Sequence, residues 1–316
     1  MSVLSKPYFH DETAAFAFVE KLLWADGPHC FHCGAVDRIT AVKANPEKRI
    51  RHGLYRCGHC KGQFTVRMGT IFEESKLPMT KWLQAIYLMC SSKKGVSSLQ
   101  LSRTLEVTYK TAWFLTHRIR EAMREGTLAP FGGGGGVVEV DETYIGHEPG
   151  HPVATRGADK MKVVSLIDRS TGRARSFVLD DVNTKTVGAI VAANMASEAR
   201  LMTDSAALYK RIGKTFADHR WVNHGQGEYV SKLDAGVHTN TVEGFYSIFK
   251  RGMRGVYQHC GKKHLHRYMA EFDFRYSHRI ALGVDDEART AYAIEGVVGK
   301  RLTYRRPDLG SEAAQG

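Results

Sequence analysis

The sequence predicts a multidomain chain: a small cysteine-held ribbon over residues 1–75, a helical segment over 76–131, a C-terminal α/β domain with a mixed sheet over 137–302, and a polar tail over 303–316. Three observations carry this division. Two C-x-x-C pairs lie close together near the start, residues 80–126 read as helix throughout, and after five consecutive glycines at 132–136 strand-like and helix-like stretches alternate.

The cysteines set the first part. Cys30-x-x-Cys33 and Cys57-x-x-Cys60 each sit in a short knuckle, CFHCG and CGHCK, with a glycine after or between the thiols. The residues between the pairs are enough for a hairpin that folds one knuckle onto the other. Four thiolates are the donor set zinc takes in a closed tetrahedral site, so the segment reads as a zinc ribbon with one structural Zn2+. With four thiols present, His32 and His59 are expected to meet solvent or DNA. Cys90 and Cys260 stand alone, which fits reduced thiols in a cytoplasmic protein better than a disulfide framework. MSVLSKPYFHDE has no apolar signal core, and no run of 18 apolar residues suggests a membrane span. A formal net charge of +12 points to a polyanionic partner.

The elements follow in order. Residues 11–23, DETAAFAFVEKLL, repeat apolar side chains at helical spacing, with Asp11 as cap. GQFTVRMGTIF, rich in β-branched and aromatic residues, reads as strand. Thr80 is expected to cap KWLQAIYLMC. SSLQLSRTL then forms a short helix, Glu106-Val107 a turn, and TYKTAWFLTHRIREAM a longer helix capped by Thr108. This short-helix, turn, long-helix order is the helix-turn-helix pattern, with Tyr109, Lys110 and Thr111 leading the helix that reaches DNA. The five glycines read as a flexible linker.

Beyond them, VVEVDETYI, MKVVSLID, ARSFVLDD and ARLMTD are strands, TKTVGAIVAANMASEA is a helix with a threonine cap, and a further helix runs from about Thr241 to Gly252. Strand, hairpin, helix, strand, helix is the order of an RNase H-like domain. Asp141 lies in the first strand, Asp204 ends a later one, and Glu243 lies on the following helix. Three such carboxylates can hold two Mg2+ ions, with Mn2+ able to substitute, for in-line displacement at phosphorus. Asn240 competes with Glu243 for the third place. Lys250 lies two turns after Glu243 on nearly the same face at about 100° per residue, which favours Glu243 with a phosphate-contacting Lys250. Asn240 and Glu243 also read together as a capping box, and Asn240 stays a candidate for lining the site. Glu139 shares a strand face with Asp141, Glu142 points to the other, and Asp168, Asp180 and Asp181 read as turn residues. KKHLHRYMAEFDFRYSHR is helical, with aromatics inside and cations, Lys262, Lys263, Arg267, Arg275 and Arg279, towards DNA; Arg251 is a further DNA-contact candidate.

These stretches resemble a known family. WADGPHCFHCGA and YRCGHCKGQFTVRMGTIFEESKLPMTKWLQAIYLM look like the zinc-ribbon N-terminus of one group of bacterial insertion-sequence transposases. VVEVDETYIG, MTDSAALY and HTNTVEGFYSIFKRGMRGVYQHCGKKHLHRYMAEFDFRYSHR look like their DDE catalytic domain. The resemblance covers most of residues 15–280, with Phe31 standing where relatives often carry proline. It implies a transposase that cleaves at terminal inverted repeats and joins the freed 3′-hydroxyl to target DNA, nucleoid-associated, in a complex of two or more copies. Residue by residue it implies the acidic triad Asp141, Asp204 and Glu243 with trailing Lys250, an asparagine filling the third role in some relatives. Two other readings compete: a DNA-binding regulator with an inactive RNase H-like remnant, and a structure-specific nuclease without strand transfer.

Overall fold

The computed structural model describes residues 2–45, 47–126, 129–148 and 159–303, so the expected tail lies, from residue 304 onward, outside the described residues. The chain divides into two units, one of Met1–Leu88, Ser98–Ala122 and Thr290–Gly316, the other of Met89–Ser97 and Met123–Arg289.

In the first unit, helix α1 (Glu12–Leu23) starts where Asp11 accepts the Ala14 N–H at 2.7 Å, as expected of the cap. Strands β1 (Ile39–Val42), β2 (Leu54–Cys57) and β3 (Gln63–Phe64) form an antiparallel sheet in that order, with Ile39 opposite Cys57. The strand expected over GQFTVRMGTIF is thus only two residues long. After Phe64 the hydroxyls of Thr65 and Thr70 bond to the main chain of Arg67 and turn the backbone away from the ladder.

Helix α2 (Met79–Ser91) is capped from a distance rather than by Thr80. The Glu12 carboxylate accepts the Met79 N–H at 2.7 Å and the Thr80 N–H at 3.2 Å, and an ion pair with Arg67 at 3.5 Å steadies it. Helices α3 (Ser98–Thr104) and α4 (Tyr109–Met123) are joined by a tight turn in which Glu106 takes a left-handed φ of 52°. Thr108 caps α4 by accepting the Thr111 N–H at 3.2 Å, as the sequence suggested.

The second unit is built on strands β4 (Val137–Ile145), β5 (Met161–Asp168) and β6 (Ala174–Leu179), helix α5 (Thr184–Asn194), strand β7 (Arg200–Asp204), helix α6 (Ala207–Ile212), strand β8 (Asp218–Val222), and helices α7 (Asn240–Gly252), α8 (Lys262–Ser277) and α9 (Asp286–Glu295), the last running on into residues of the first unit. The sheet order is β6-β5-β4-β7-β8. β4, β5 and β6 pair antiparallel, whereas β4, β7 and β8 pair parallel. Side chains alternate along each strand, so the sheet has two apolar faces. Val138, Val140, Val164 and Leu166 meet Val187 and Val191 of α5 and Tyr209 of α6 on one. Ile145, Val163 and Ile167 meet Val242, Phe245 and Phe249 of α7 and Met269 and Phe272 of α8 on the other.

Two local expectations change. The glycine run is a hydrogen-bonded turn, not a flexible linker: Gly132 N–H bonds to Asp168 at 3.1 Å and Gly134 N–H to Glu198 at 3.4 Å. Gly132 sits at φ +76°, and a Cβ there would fall 2.4 Å from that of Ala199, so the turn requires glycine. Helix α5 is capped by Asn183, which forms a capping box with Thr186. Among the described residues no helix is long and apolar enough to cross a membrane.

Removing the remote cap tests the first unit. Glu12→Ala should cost about 1–2 kcal/mol in urea unfolding, the range for a lost helix N-cap, and Glu12→Gln should cost less; an unchanged midpoint in both would show that α2 does not depend on Glu12.

Candidate active site

The parallel pairing of β4 and β7 brings two acids together. Val137, Val138 and Glu139 align with Arg200, Leu201 and Met202. Two residues further along the same register, Asp141 comes beside Asp204. Asp204 ends its strand and accepts the Ala206 N–H at 2.9 Å, fixing the turn into α6. The Asp141 main-chain carbonyl accepts the Tyr246 hydroxyl at 2.6 Å, which ties β4 to α7 at this point. Burial pushes the Asp141 carboxyl well above its usual range, and the neighbouring charges of Glu142, Asp204 and Glu243 push it the same way.

Glu243 lies in the first turn of α7, with about 40% of its side chain exposed. It accepts the Thr239 hydroxyl at 3.2 Å and lies 3.3 Å from His224 Nε2. His224 follows β8 and also contacts the Thr239 hydroxyl at 3.0 Å. Helix α7 starts at Asn240, so Asn240 is its first residue and not its cap. Asn240 is exposed and lines, with Thr241, Gly244 and Ile248, a cavity that does not include Glu243. Lys250 reaches over the Tyr246 ring, its Nζ 6.0 Å from the centroid.

Glu139 shares the Asp141 face, as expected, but its role was not legible. It is fully buried and accepts Arg169 Nε at 2.6 Å, the Thr241 hydroxyl at 2.6 Å and the Val242 N–H at 2.8 Å. It is therefore the remote cap of α7. Arg169 also holds the approach to the helix by donating to the Gly236 and His238 carbonyls, at 2.6 and 2.7 Å. Glu142 points to the opposite face and accepts the Tyr209 hydroxyl at 2.6 Å; burial raises its pKa. Asp168 accepts the N–H groups of Ser170 and Thr171, and Asp180 pairs with Lys262 at 2.8 Å, both at turns.

In the ribbon, Cys30 and Cys60 sulfurs are 3.6 Å apart and those of Cys33 and Cys57 3.7 Å. All four lie within 4.8 Å of one another. A tetrahedral zinc with Zn–S bonds of about 2.3 Å sets its sulfurs about 3.8 Å apart, so the donor set fits that ion. Backbone N–H groups of Cys60 and His59 lower the Cys57 pKa to about 6, whereas, against a backbone bond with Ala35, burial and the neighbouring thiols of Cys30, Cys57 and Cys60 raise that of Cys33 to about 12, so the crowded thiols ionise together only around a cation. His32 bonds to the Gln63 carbonyl and His59 to Asp37, so neither takes a ligand place. Among the described residues these thiols are the one group of three or more ligands that converge so closely; the three carboxylates stand further apart.

Of the DNA-contact candidates, Tyr109 and Lys110 are exposed at the start of α4, and Thr111 is engaged with Thr108. Arg251 and Lys263 are exposed. Lys262 is held between Glu148 and Asp180, each at 2.8 Å, and Arg267 bonds to His264 at 3.1 Å. Tyr268, Phe272 and Phe274 of α8 are buried, as expected, but Arg275 is buried too, paired with Glu271 instead of facing outward.

Comparison with known proteins places these two sites in context. Residues 10–63 match the transposase zinc-ribbon domain, and residues 134–277 match the ISXO2-like transposase domain. Over 292 residues the chain is 29% identical to a Halobacterium salinarum protein described as an uncharacterized protein in transposable element ISH50, covering 84% of this chain and 91% of that one. Among solved structures, a chain of the simian T-cell lymphotropic virus intasome in complex with PP2A regulatory subunit B56 gamma is similar over 55% of this chain and 63% of its own, at 12% identity and a TM-score of only 0.29.

The purified protein should carry one zinc per chain by elemental analysis. Cys57→Ser should release it and unfold the ribbon, because binding energy at such sites is folding energy. Wild-type protein without zinc would refute the assignment.

Proposed function

We propose that this chain, which belongs to the transposases that join a transposase zinc ribbon to an ISXO2-like transposase domain, cleaves DNA at the terminal inverted repeats of its element and joins the freed end to target DNA. The observation that carries the reading is the pairing of Asp141 and Asp204 on adjacent parallel strands, with the Glu243 charge, on α7, close enough to raise the pKa of buried Asp141. The sheet order, three antiparallel strands followed by two parallel ones, supports an RNase H-like domain. The α3-turn-α4 unit and the ribbon support recognition of the repeats through a helix-turn-helix led by Tyr109 and Lys110.

A group of carboxylate oxygens is the donor set a hard divalent ion takes. Asp141, Asp204 and Glu243 would hold two Mg2+, or Mn2+ in their place, and such ions stabilise charge on the attacking and leaving oxygens. The exposed position of Asn240, on the cavity side of α7, favours Glu243 as the third ligand.

The remaining groups position the substrate. Tyr246 holds the Asp141 strand, and Thr239 with His224 orients the Glu243 carboxylate. Lys250, two turns along the helix, meets a non-bridging phosphate oxygen. In the first step a water oxygen bonds to phosphorus and the P–O3′ bond breaks, leaving a 3′-hydroxyl and a 5′-phosphate. In the second, that 3′-oxygen bonds to a target phosphorus and the target's own 3′-oxygen leaves, so one phosphodiester replaces another.

Asp141→Ala, Asp204→Ala and Glu243→Ala should each abolish cleavage and joining while gel shift still shows repeat binding. Lys250→Ala should leave residual activity, and Asn240→Ala should retain most of it. Activity in all three carboxylate variants would end the enzymatic reading; cleavage without joining by the wild type would make the protein a nuclease.

Because burial, then neighbouring carboxylates, raise the Asp141 pKa, the contribution of Asp141 to the stability of the zinc-bound, Mg2+-free protein should be fully present below the unfolded-state carboxylate range and be lost as pH rises through the folded-state value. Mg2+ should restore it at neutral pH. Asp141→Asn should melt higher than wild type without metal and lose the Mg2+ response; a lower melting point for the variant without metal would contradict the account.

A further inference from the structure

Beside the candidate active site, the second unit holds a cavity of about 580 Å³ that the chemistry above does not use. Its size suits a small organic group of 300–1,000 Å³ class. At about 100° per residue, Asn240 and Gly244 lie on the flank of α7 between Glu243 on one side and the cavity, lined by Thr241 and Ile248, on the other. Gly244 is exposed, and a Cβ there would meet nothing within 4 Å, so a strand can cross the helix close to its backbone.

The lining has two kinds of surface. Ile248 and Tyr276 give an apolar wall, and the Arg279 guanidinium carbon lies over the Tyr276 ring, 4.1 Å from its centroid, fixed by bonds to the Gly172 and Tyr276 carbonyls. Lys93, exposed at the rim, and Arg279 add positive charge, whereas Arg275 is neutralised by Glu271 and Asp286 of the lining pairs with Arg289. Arg275 is more than nine-tenths buried, yet its Nε and Nη2 have no hydrogen-bond partner. An apolar wall beside the Lys93 and Arg279 cations suits a flat, anionic ligand.

We infer that this cavity receives one nucleotide unstacked from the DNA strand whose neighbouring phosphodiester lies at Glu243, its base against Ile248 and Tyr276 and its phosphate near Lys93 and Arg279. The inference rests on the transposase reading and names a subsite of it. Stacking in the cavity offsets much of the cost of extruding a nucleotide.

The test is equilibrium binding of the full-length protein, without divalent ions so that cleavage does not intervene, to duplexes from the element's end carrying one abasic site at successive positions near the cleaved bond. Ala281→Trp, at the exposed rim, should fill the cavity and weaken binding of intact DNA about tenfold, the size of one lost stack. An abasic site at one position should restore it. Lys93→Ala should weaken binding about threefold, and a neutral methylphosphonate at that same nucleotide should erase the difference from wild type. Equal losses at every abasic position, with Lys93→Ala insensitive to every methylphosphonate, would overturn the inference and leave the transposase reading standing if the wild type still cleaves and joins. If Ala281→Trp fails to fold by circular dichroism, the Lys93→Ala arm decides alone. A wild type that neither cleaves nor joins in Mg2+ overturns both.

Discussion

The buried carboxylate of Glu139 is the constraint on which the second unit depends. It sits two residues before Asp141 on the same strand face, a separation of about 7 Å along the strand. From there it caps α7 through Val242 N–H and the Thr241 hydroxyl while Arg169 neutralises it. Fixing the first turn of α7 at Glu139 fixes Glu243, one residue past Val242, relative to Asp141. A buried ion pair of this kind contributes little net stability against an apolar substitute, but removing one partner leaves an uncompensated charge and costs about 3–5 kcal/mol. Its value here is register, because it sets which face of α7 looks towards the carboxylates. Tyr246 adds the second tie, one turn further on, by bonding the Asp141 carbonyl.

Around that frame the unit accumulates like charge. Burial raises the cost of ionising Asp141 and Glu142, and the charges of Glu142, Asp204 and Glu243 add to it at Asp141, that of Asp204 at Glu142. The two faces of the sheet handle this differently. Glu142 is satisfied by the Tyr209 hydroxyl on the α6 side, whereas Asp141 has only the Glu142 N–H on its carboxylate. A fold selected for stability alone would not leave such a group uncompensated, and sites that break this rule are commonly functional. The zinc ribbon has the opposite arrangement, with its four donors already within the span of one ion and backbone N–H groups stabilising the Cys57 thiolate.

What was legible in the sequence follows the range of the interaction that decides it. The bounds of β4, β5 and β7 matched their β-branched runs because alternation and propensity act locally. The thiol cluster was legible because C-x-x-C geometry is local too. Strand β8, DHRWV, lacks a clean apolar alternation, and α6 is only six residues long, so neither stood out. The caps of α2 and α7 were missed for one reason: Glu12 and Glu139 lie 67 and 103 residues from the N–H groups they accept, beyond any local cap rule. Glu139 was placed on the correct face and passed over as a ligand, yet its capping role needed the helix to be seen beside the strand. The glycine run looked like a linker because composition does not reveal that Asp168 and Glu198 hold its N–H groups. His224 carried no motif at all, being drawn to Glu243 by a loop whose path the sequence does not dictate.

Anomalous diffraction from crystals soaked in Mn2+ tests the central claim most directly. Manganese peaks are expected between Asp141 and Asp204, with the Glu243 carboxylate bound to at least one of them and Asn240 to none. Peaks held by Asn240 with Glu243 turned away, or no manganese at these carboxylates in crystals that bind it elsewhere, would contradict it.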